Sequence, residues 1–413
     1  MSGRAPRERL GGMSKPKVIS LFSGAGGLDY GFEAAGFETA VAVEMNADCC
    51  NTLRANRSWP VIERDVMAVG SAELLRVGRL KKGQASVLIG GPPCQPFSKS
   101  GYWARRDSLR LADPRANTLA AYLRVLEDTR PHAFVLENVE GLAYRGKDEG
   151  LRLLLDAIDG INKRTRSKYL PTVKVLNAAE YGVPQVRKRV LMIGMRDGSE
   201  FEFPAVTHGE SGGCEPWRTA WDALGDVKVD PSEDLRLRGR WVDLLPSIPE
   251  GHNYLWHTSR MAGEPLFGWR RRYWSFLLKL AKRQPSWTIQ AQPGPASGPF
   301  HWDNRRLSMR EMCRLQTFPD DIHITGSRGE VQRQVGNAVP SALAEVIGRA
   351  LRRQALGERC STKATLVPRA RDDVPAAAVP GPVPFKFWSL RGDHEEHPGT
   401  GRGYGATGVG AFS

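Results

Sequence analysis

Short apolar runs, each bounded by glycine, proline or charge, alternate with longer mixed segments over the first half of the chain. Lys17–Leu21, Thr39–Val43, Ser86–Ile89, Ala133–Leu136, Thr172–Asn177 and Val190–Gly194 read as strands. Between them, Tyr30–Ala35, Asp48–Arg57, Asn117–Asp128 and Glu149–Ile161 read as helices. This alternation predicts an α/β fold with a mostly parallel sheet. From Phe203 to Asn304 no clean period persists, and eight of the eleven tryptophans fall between Trp217 and Trp302. A smaller, irregular inserted domain is expected there. Regular signals return at Ser308, where Glu311 three residues on makes a capping box. Gln334–Ser341 is expected to open a helix to Arg352, with Pro340 near its first turn. The expected organisation is a disordered basic leader over 1–15, a large domain in two parts (16–202 and 305–353), the insertion over 203–304, and a mostly disordered tail over 354–413. The tail is assigned from its Pro, Gly, Ala and charge content.

Composition narrows the class. The 413 residues suffice for two or three domains, and 41% hydrophobic with 25% charged residues is ordinary for a soluble globular protein. No run approaches the roughly 20 apolar residues of a membrane span. Met1–Lys17 is basic and lacks an apolar stretch, so it is not a secretory signal. An intracellular, cytoplasmic location is expected. The six cysteines are scattered without a C-x-x-C pair, which points to neither a disulfide framework nor a zinc site. The net charge of +14 favours an anionic partner such as nucleic acid.

Four places carry candidate chemistry. The run ending at Ile89 leads into Gly90-Gly91-Pro92-Pro93-Cys94-Gln95-Pro96-Phe97-Ser98. Three prolines leave Cys94 few backbone states, which suits a fixed nucleophile. An isolated free cysteine is more often an inert small hydrophobe. The second place is Phe22-Ser23-Gly24-Ala25-Gly26-Gly27-Leu28-Asp29, a glycine loop between strand and helix, where backbone N–H groups meet a ligand. Asp29 replaces the third glycine of a dinucleotide fingerprint, and no P-loop lysine follows. Glu44, about 20 residues after the loop at the tip of the second strand, is placed to hold ribose hydroxyls; a solvated strand-end glutamate is the alternative. Third, Glu137 ends the strand beginning at Ala133. Fourth, Gln185, Arg187 and Arg189 alternate ahead of the last strand, so they are expected to share one face, as a site or as a protected sheet edge. In the insertion, Arg270, Arg271 and Arg272 stand among aromatics and suit phosphate or base contact, although most of the tryptophans there are expected to be structural.

The Pro-Cys-Gln loop, Glu137-Asn138-Val139, Gln-x-Arg-x-Arg at 185–189, Arg-Leu-Gln-Thr-Phe-Pro at 314–319 and Gln334-Val335-Gly336-Asn337-Ala338-Val339-Pro340 stand in the order found in DNA (cytosine-5) methyltransferases, which the chain resembles from about Lys17 to Arg352. Ser341 replaces the family's usual second proline. The resemblance implies a Rossmann-like sheet of the S-adenosylmethionine-dependent methyltransferase kind with an inserted target-recognition domain. It implies that S-adenosyl-L-methionine is held by Phe22, Ser23, Gly24, Ala25, Gly26, Gly27, Leu28, Glu44, Met45, Asp65, Val66, Pro92, Leu119, Asn337 and Val339. Phe22 and Val66 would face the adenine, with Asp65 on its amino group. Cys94 would add to carbon 6 of a flipped cytosine while Glu137 bonds ring nitrogen 3. Arg187 would contact the base carbonyl and Arg189 would support the site or the backbone. DNA contacts are expected from Gln95, Ser98, Gln185, Arg270, Arg271, Arg272 and Thr288, and a mobile lid over 99–114. The resemblance further implies a monomer acting on double-stranded DNA without metal or membrane, either paired with a restriction endonuclease that acts on the same site without stable complex or working as a solitary regulatory methylase. An RNA cytosine-5 methyltransferase, a silent DNA-binding protein and a nicotinamide oxidoreductase are the rivals; the absence of a Cys-Phe-Thr element, the intact site residues and Asp29 weigh against them in turn.

Overall fold

The computed structural model describes residues 15–93, 114–139, 148–269 and 272–392. Seven strands form one sheet in the order β3-β2-β1-β4-β5-β7-β6. They are β1 (Lys17–Leu21), β2 (Glu38–Glu44), β3 (Val61–Glu63), β4 (Val87–Gly90), β5 (Ala133–Val139), β6 (Leu170–Asn177) and β7 (Lys188–Met195). The first five run parallel; β7 lies antiparallel to both β5 and β6. The apolar runs are nearly continuous because both faces of the central strands are covered. Val18, Val87, Ile89, Val135 and Ile193 pack on one face under α1 (Gly27–Ala34) and α9 (Ser341–Ala355). Ile19, Leu21, Leu88, Phe134 and Met192 pack on the other under α3 (Ser71–Val77), α4 (Pro114–Thr129) and α5 (Asp148–Thr165). The side-chain period of two thus divides each strand between two cores.

Helix α1 starts within the glycine loop, three residues earlier than expected, because Gly26 takes a left-handed conformation (φ 85°) and serves as its N-cap. A Cβ on Gly27 would lie 2.3 Å from the Val339 carbonyl oxygen. Only glycine therefore allows α1 to lie against the turn before α9. Asp29 falls in the first turn of α1 and is fully buried, accepting a hydrogen bond from the Thr39 hydroxyl at 3.3 Å. Burial pushes its carboxyl up to about 6.

Helix α2 (Ala47–Asn56) follows β2, capped by the Asn46 side chain on the Cys49 N–H. Among the described residues, 203–304 contribute no strand to the sheet and hold one short α-helix, α6 (Ala220–Leu224), and two 3-10 turns, Val242–Ser247 and Tyr254–His257. Their own core gathers Leu244, Leu245, Ile248, Tyr254, Phe267, Leu277 and Phe300, with Trp241, Trp256 and Trp269 packed on it. A separate cluster joins Trp302 and Ile289 to α7 (Met309–Leu315) and α8 (Arg328–Asn337). The Ser308–Glu311 capping box of α7 is present in both directions. The single helix expected from Gln334 is instead two: α8 ends at Asn337, and α9 begins after Pro340.

The tail expected to be disordered is anchored to the rest of the chain at separate points as far as residue 392, with exposed stretches such as 375–380 between them. Leu366 and Val367 lie against the core under α9, and Phe387 is buried in the core of the insertion. Among the described residues no helix is long and apolar enough to cross a membrane.

Candidate active site

Strands β1, β2, β3, β4 and β5 all end on the same edge, and the candidate residues collect there, as ligand sites do in open parallel sheets. Glu44 ends β2. Its Oε2 accepts from the Gly24 N–H at 2.8 Å, and its Oε1 accepts from the N–H groups of Met45 (2.9 Å) and Asn46 (2.8 Å). Three backbone donors fix this carboxylate, leaving lone pairs for a ligand's hydroxyls. The Ser23 hydroxyl pairs with that of Ser20 at 2.8 Å. Phe22 and Gly24 have positive φ, and a Cβ on Gly24 would meet nothing within 4 Å, so the loop faces open space. Ala25 is buried, Leu28 is half-buried, and Met45 is 69% exposed beside Glu44.

Glu63 pairs with Glu44 across the β2–β3 ladder, which brings Asp65 and Val66 to the same edge. Asp65 is exposed and caps a short turn by accepting from the Met67 N–H at 2.9 Å. Val66 and Leu119 are buried in one cluster, with Phe22 packed on it. Asn337 is exposed and Val339 is buried against Gly27. The structure thus gathers the expected cofactor residues on one rim, with an acid, a bare glycine loop and apolar surface. That donor set fits a nucleoside bearing a charged amino-acid tail.

The second half of the site lies where β4 and β5 end together. Gly90 pairs with Leu136, so the following Gly91 sits beside Glu137. A Cβ on Gly91 would come within 2.7 Å of Glu137 Oε2. Asn138 donates from Nδ2 to the Pro92 carbonyl at 3.2 Å and so ties the start of the cysteine loop to β5. Glu137 is buried, and its Oε1 meets Arg189 Nε at 2.8 Å. Arg189 stands opposite Val139, two residues from Glu137 on the same strand face. Burial raises the Glu137 carboxyl above its ordinary value, against the opposing pull of Arg189 and Arg187.

The two arginines occupy different environments. Arg187 is fully buried, and its guanidinium donates to the carbonyls of Ile289 at 3.2 Å and Gly336 at 2.6 Å. Burial lowers its pKa to about 9. Its two terminal nitrogens hold two chain segments together while its buried Nε has no hydrogen-bond partner, and Arg189 is the arginine on the carboxylate. Gln185 is also fully buried: its Oε1 accepts from the Ile289 N–H and its Nε2 donates to Leu315 O, both at 3.1 Å. It clasps the insertion to α7 instead of facing outward. The physical reason is that β7 begins at Lys188, so the two-residue alternation assumed for 185–189 does not extend back to Gln185 and Arg187.

Thr288 is exposed, its hydroxyl donating to Val186 O at 2.7 Å. Arg272 is exposed, with its guanidinium 5.5 Å from the rings of both Trp241 and Phe276. Cys94, Gln95, Ser98, Arg270, Arg271 and the expected lid up to residue 113 lie outside the described residues. The buried thiols of Cys49, Cys50 and Cys313 are all pushed up to about 12 by desolvation, which marks them as unreactive.

Sequence reasoning missed Gly91 and Asn138, which position Glu137 and Pro92. It also left Gln316 without a role. The buried Gln316 side chain donates to Val335 O at 2.7 Å and Ala338 O at 3.3 Å, bracketing the exposed Asn337. Its place in the Arg-Leu-Gln-Thr-Phe-Pro run was the available signal.

This sheet order and rim are those of a methyltransferase fold. The family model described as C-5 cytosine-specific DNA methylase matches residues 16–353. The chain belongs to that family and is a DNA (cytosine-5) methyltransferase. It is 42% identical over 368 residues to the Type II methyltransferase M.SacI of Streptomyces achromogenes, covering 82% of this chain and 93% of that protein. It is 34% identical over 334 residues to the Type II methyltransferase M.NgoFVII of Neisseria gonorrhoeae, covering 79% and 84%. Among solved structures, a putative DNA modification methyltransferase encoded within an Escherichia coli prophage superposes with a TM-score of 0.57 at 22% identity, covering 83% of this chain and all of that one. A Spodoptera frugiperda DNMT2 mutant gives 0.57 at 16% identity, covering 82% and 99%. At these identities the structural likeness concerns the fold.

Proposed function

We propose that this enzyme methylates carbon 5 of cytosine within one short double-stranded DNA sequence, and that it protects host DNA from a restriction endonuclease of the same specificity. The Type II names of its relatives support the protective role. The observation that carries the chemistry is the buried Glu137 carboxylate, held by Arg189 at 2.8 Å beside the loop that leads into Cys94.

Glu44, the 22–28 loop, Met45, Asp65, Val66, Pro92, Leu119, Asn337 and Val339 would hold S-adenosyl-L-methionine, which supplies the methyl group when bound. Carbon 6 of a stacked cytosine is unreachable, so the base is turned out of the duplex. Cys94 adds its thiolate to carbon 6, carbon 5 takes the methyl group, and loss of the carbon 5 proton with release of Cys94 gives 5-methylcytosine. Glu137 shares a proton with ring nitrogen 3 and draws charge from the ring as the thiolate adds; burial raises its carboxyl above the ordinary value, which favours that proton. Arg189 takes the base-carbonyl role first expected of Arg187, since it alone of the two adjoins the carboxylate. Arg187 and Gln185 hold the insertion on the sheet. Thr288, Arg272 and the neighbouring exposed aromatics Tyr273 and Trp274 face DNA. The protein acts as a monomer.

The test is transfer of labelled methyl groups by the purified chain to unmethylated bacterial DNA and, in a parallel arm, to RNA from the same cells. Label recovered as 5-methylcytosine in DNA alone is expected. Label in RNA alone would replace the substrate assignment, and label in neither would leave a silent binder.

A further inference from the structure

Beyond α9 the chain leaves the family's domain, which ends at residue 353, yet it remains attached at many points. The first anchor is on the catalytic core. Buried Glu345 accepts the N–H groups of Thr365 and Leu366 and the Thr365 hydroxyl, at 2.8 to 2.9 Å. The chain then crosses the join between the domains. The Arg371 N–H donates to Asp222 at 2.7 Å, its guanidinium pairs with Asp226 at 2.7 Å, and Arg283 donates to Val374 O at 3.1 Å. Gly381 donates to Pro246 O at 3.0 Å. The second anchor is Phe387, 2% exposed, stacked on Trp241 at 5.7 Å and 11°. Ion pairs of Lys386 with Asp243 and of Arg391 with Glu264 flank it.

Between the anchors stand Pro368, Pro375, Pro380, Pro382 and Pro384. Proline fixes φ, so this segment behaves as a stiff tie and not as slack. What it ties is specific. Trp241, stacked on Phe387, carries the Arg272 guanidinium on its ring, and Arg272 is followed by Tyr273 (85% exposed) and Trp274 (52% exposed). Trp274 meets Trp287 edge-on at 5.2 Å, next to Thr288.

We propose that residues 357–392 form a strap that sets the Arg272–Trp274 loop against the catalytic domain, with Phe387 as a positioning residue for DNA selection. The inference rests on the reading of that loop as a DNA contact. A loop whose exposed cation and rings are held from below through Trp241 meets DNA in one register. Freed from Phe387, the same loop samples several.

The test uses the full chain and unmethylated bacterial chromosomal DNA. Phe387→Ala is expected to raise the KM for DNA about tenfold, a displacement effect of ordinary size, and to spread methylation beyond the wild-type motif when the product is sequenced. The KM for S-adenosylmethionine and kcat at saturating DNA stay within about twofold, since the rim of the sheet is not touched. Phe387→Tyr restores wild-type values. Should Phe387→Ala melt the protein, the double variant Lys386→Ala and Arg391→Ala loosens the same anchor without opening a cavity and is expected to spread methylation likewise. Trp274→Ala is measured beside them. If Trp274→Ala impairs DNA use while the strap variants match wild type, the strap proposal falls and the loop reading stands. If Trp274→Ala is also silent, both fall. Equal losses in DNA use, cofactor use and kcat in the strap variants would make the strap a general stabiliser and overturn the proposal.

Discussion

Gly91→Ala is a small change with a calculable consequence. The added methyl would lie 2.7 Å from Glu137 Oε2 and needs about 0.7 Å more to reach the 3.4 Å of ordinary contact. The carboxylate is not free to withdraw, because Oε1 is bonded to Arg189 Nε at 2.8 Å. A retreat of that size stretches the bond to about 3.5 Å, the limit of useful geometry. Losing a hydrogen bond between charged groups costs about 1.5–3 kcal/mol. If the pair acts in the transition state, kcat falls about 10- to 100-fold. Initial rates of labelled methyl transfer, at saturating DNA and S-adenosylmethionine, measure this directly. The KM for S-adenosylmethionine should change little, because Glu44 and the glycine loop lie on other strands. A Gly91→Ala enzyme with kcat within twofold of wild type and an unchanged melting temperature would refute the claim that this carboxylate position governs turnover.

Other expectations follow from the same geometry. Arg189→Ala should lower kcat more than stability, and the alkaline limb of its pH–rate profile should move upward, because Arg189 holds the Glu137 pKa down. Arg187→Ala should do the reverse and destabilise the fold by about 2–5 kcal/mol in denaturant melts, since it leaves two buried carbonyls unpaired. Glu44→Ala should raise the KM for S-adenosylmethionine about 10- to 100-fold while binding of DNA alone, read by gel shift, is retained. Asp29 has its folded pKa raised from 3.8 to about 6, so its stabilising contribution is full below pH 4 and is lost as pH rises through 6. At 1.36 kcal/mol per unit this is about 3 kcal/mol. The stability difference between wild type and Asp29→Asn should shift by about that amount between pH 4 and pH 8, and parallel profiles would contradict it.

Four of the five parallel strands were legible because each is a compact apolar run with a glycine, proline or charge at its end; β3, only three residues long, was not. The glycine loop and Glu44 were legible as neighbours because they end adjacent parallel strands, where the Gly24 N–H meets the Glu44 carboxylate. The capping box at Ser308 was legible because it is local. What escaped notice depends on contacts distant in sequence. Arg187 and Arg189 are alike in type and two apart, and only the start of β7 at Lys188 separates a clasp from a site residue. Helix α8 offers few apolar residues to a pattern search: Val331 and Val335 are its buried aliphatic positions, and it merged with α9. The strap looked disordered because its anchors, Leu366 and Phe387, are sparse among prolines and charges, and average composition hides two well-placed apolar side chains.

Cys94 is proposed as the nucleophile that makes this chain a sequence-specific DNA cytosine-5 methyltransferase. The most direct test expresses the wild-type chain and its Cys94→Ala variant in a methylation-free bacterium and maps 5-methylcytosine across the genome by conversion sequencing. The account predicts methylation confined to one short motif with the wild type and none with the variant. Methylation at equal levels with Cys94→Ala, or none with the wild type, would contradict it.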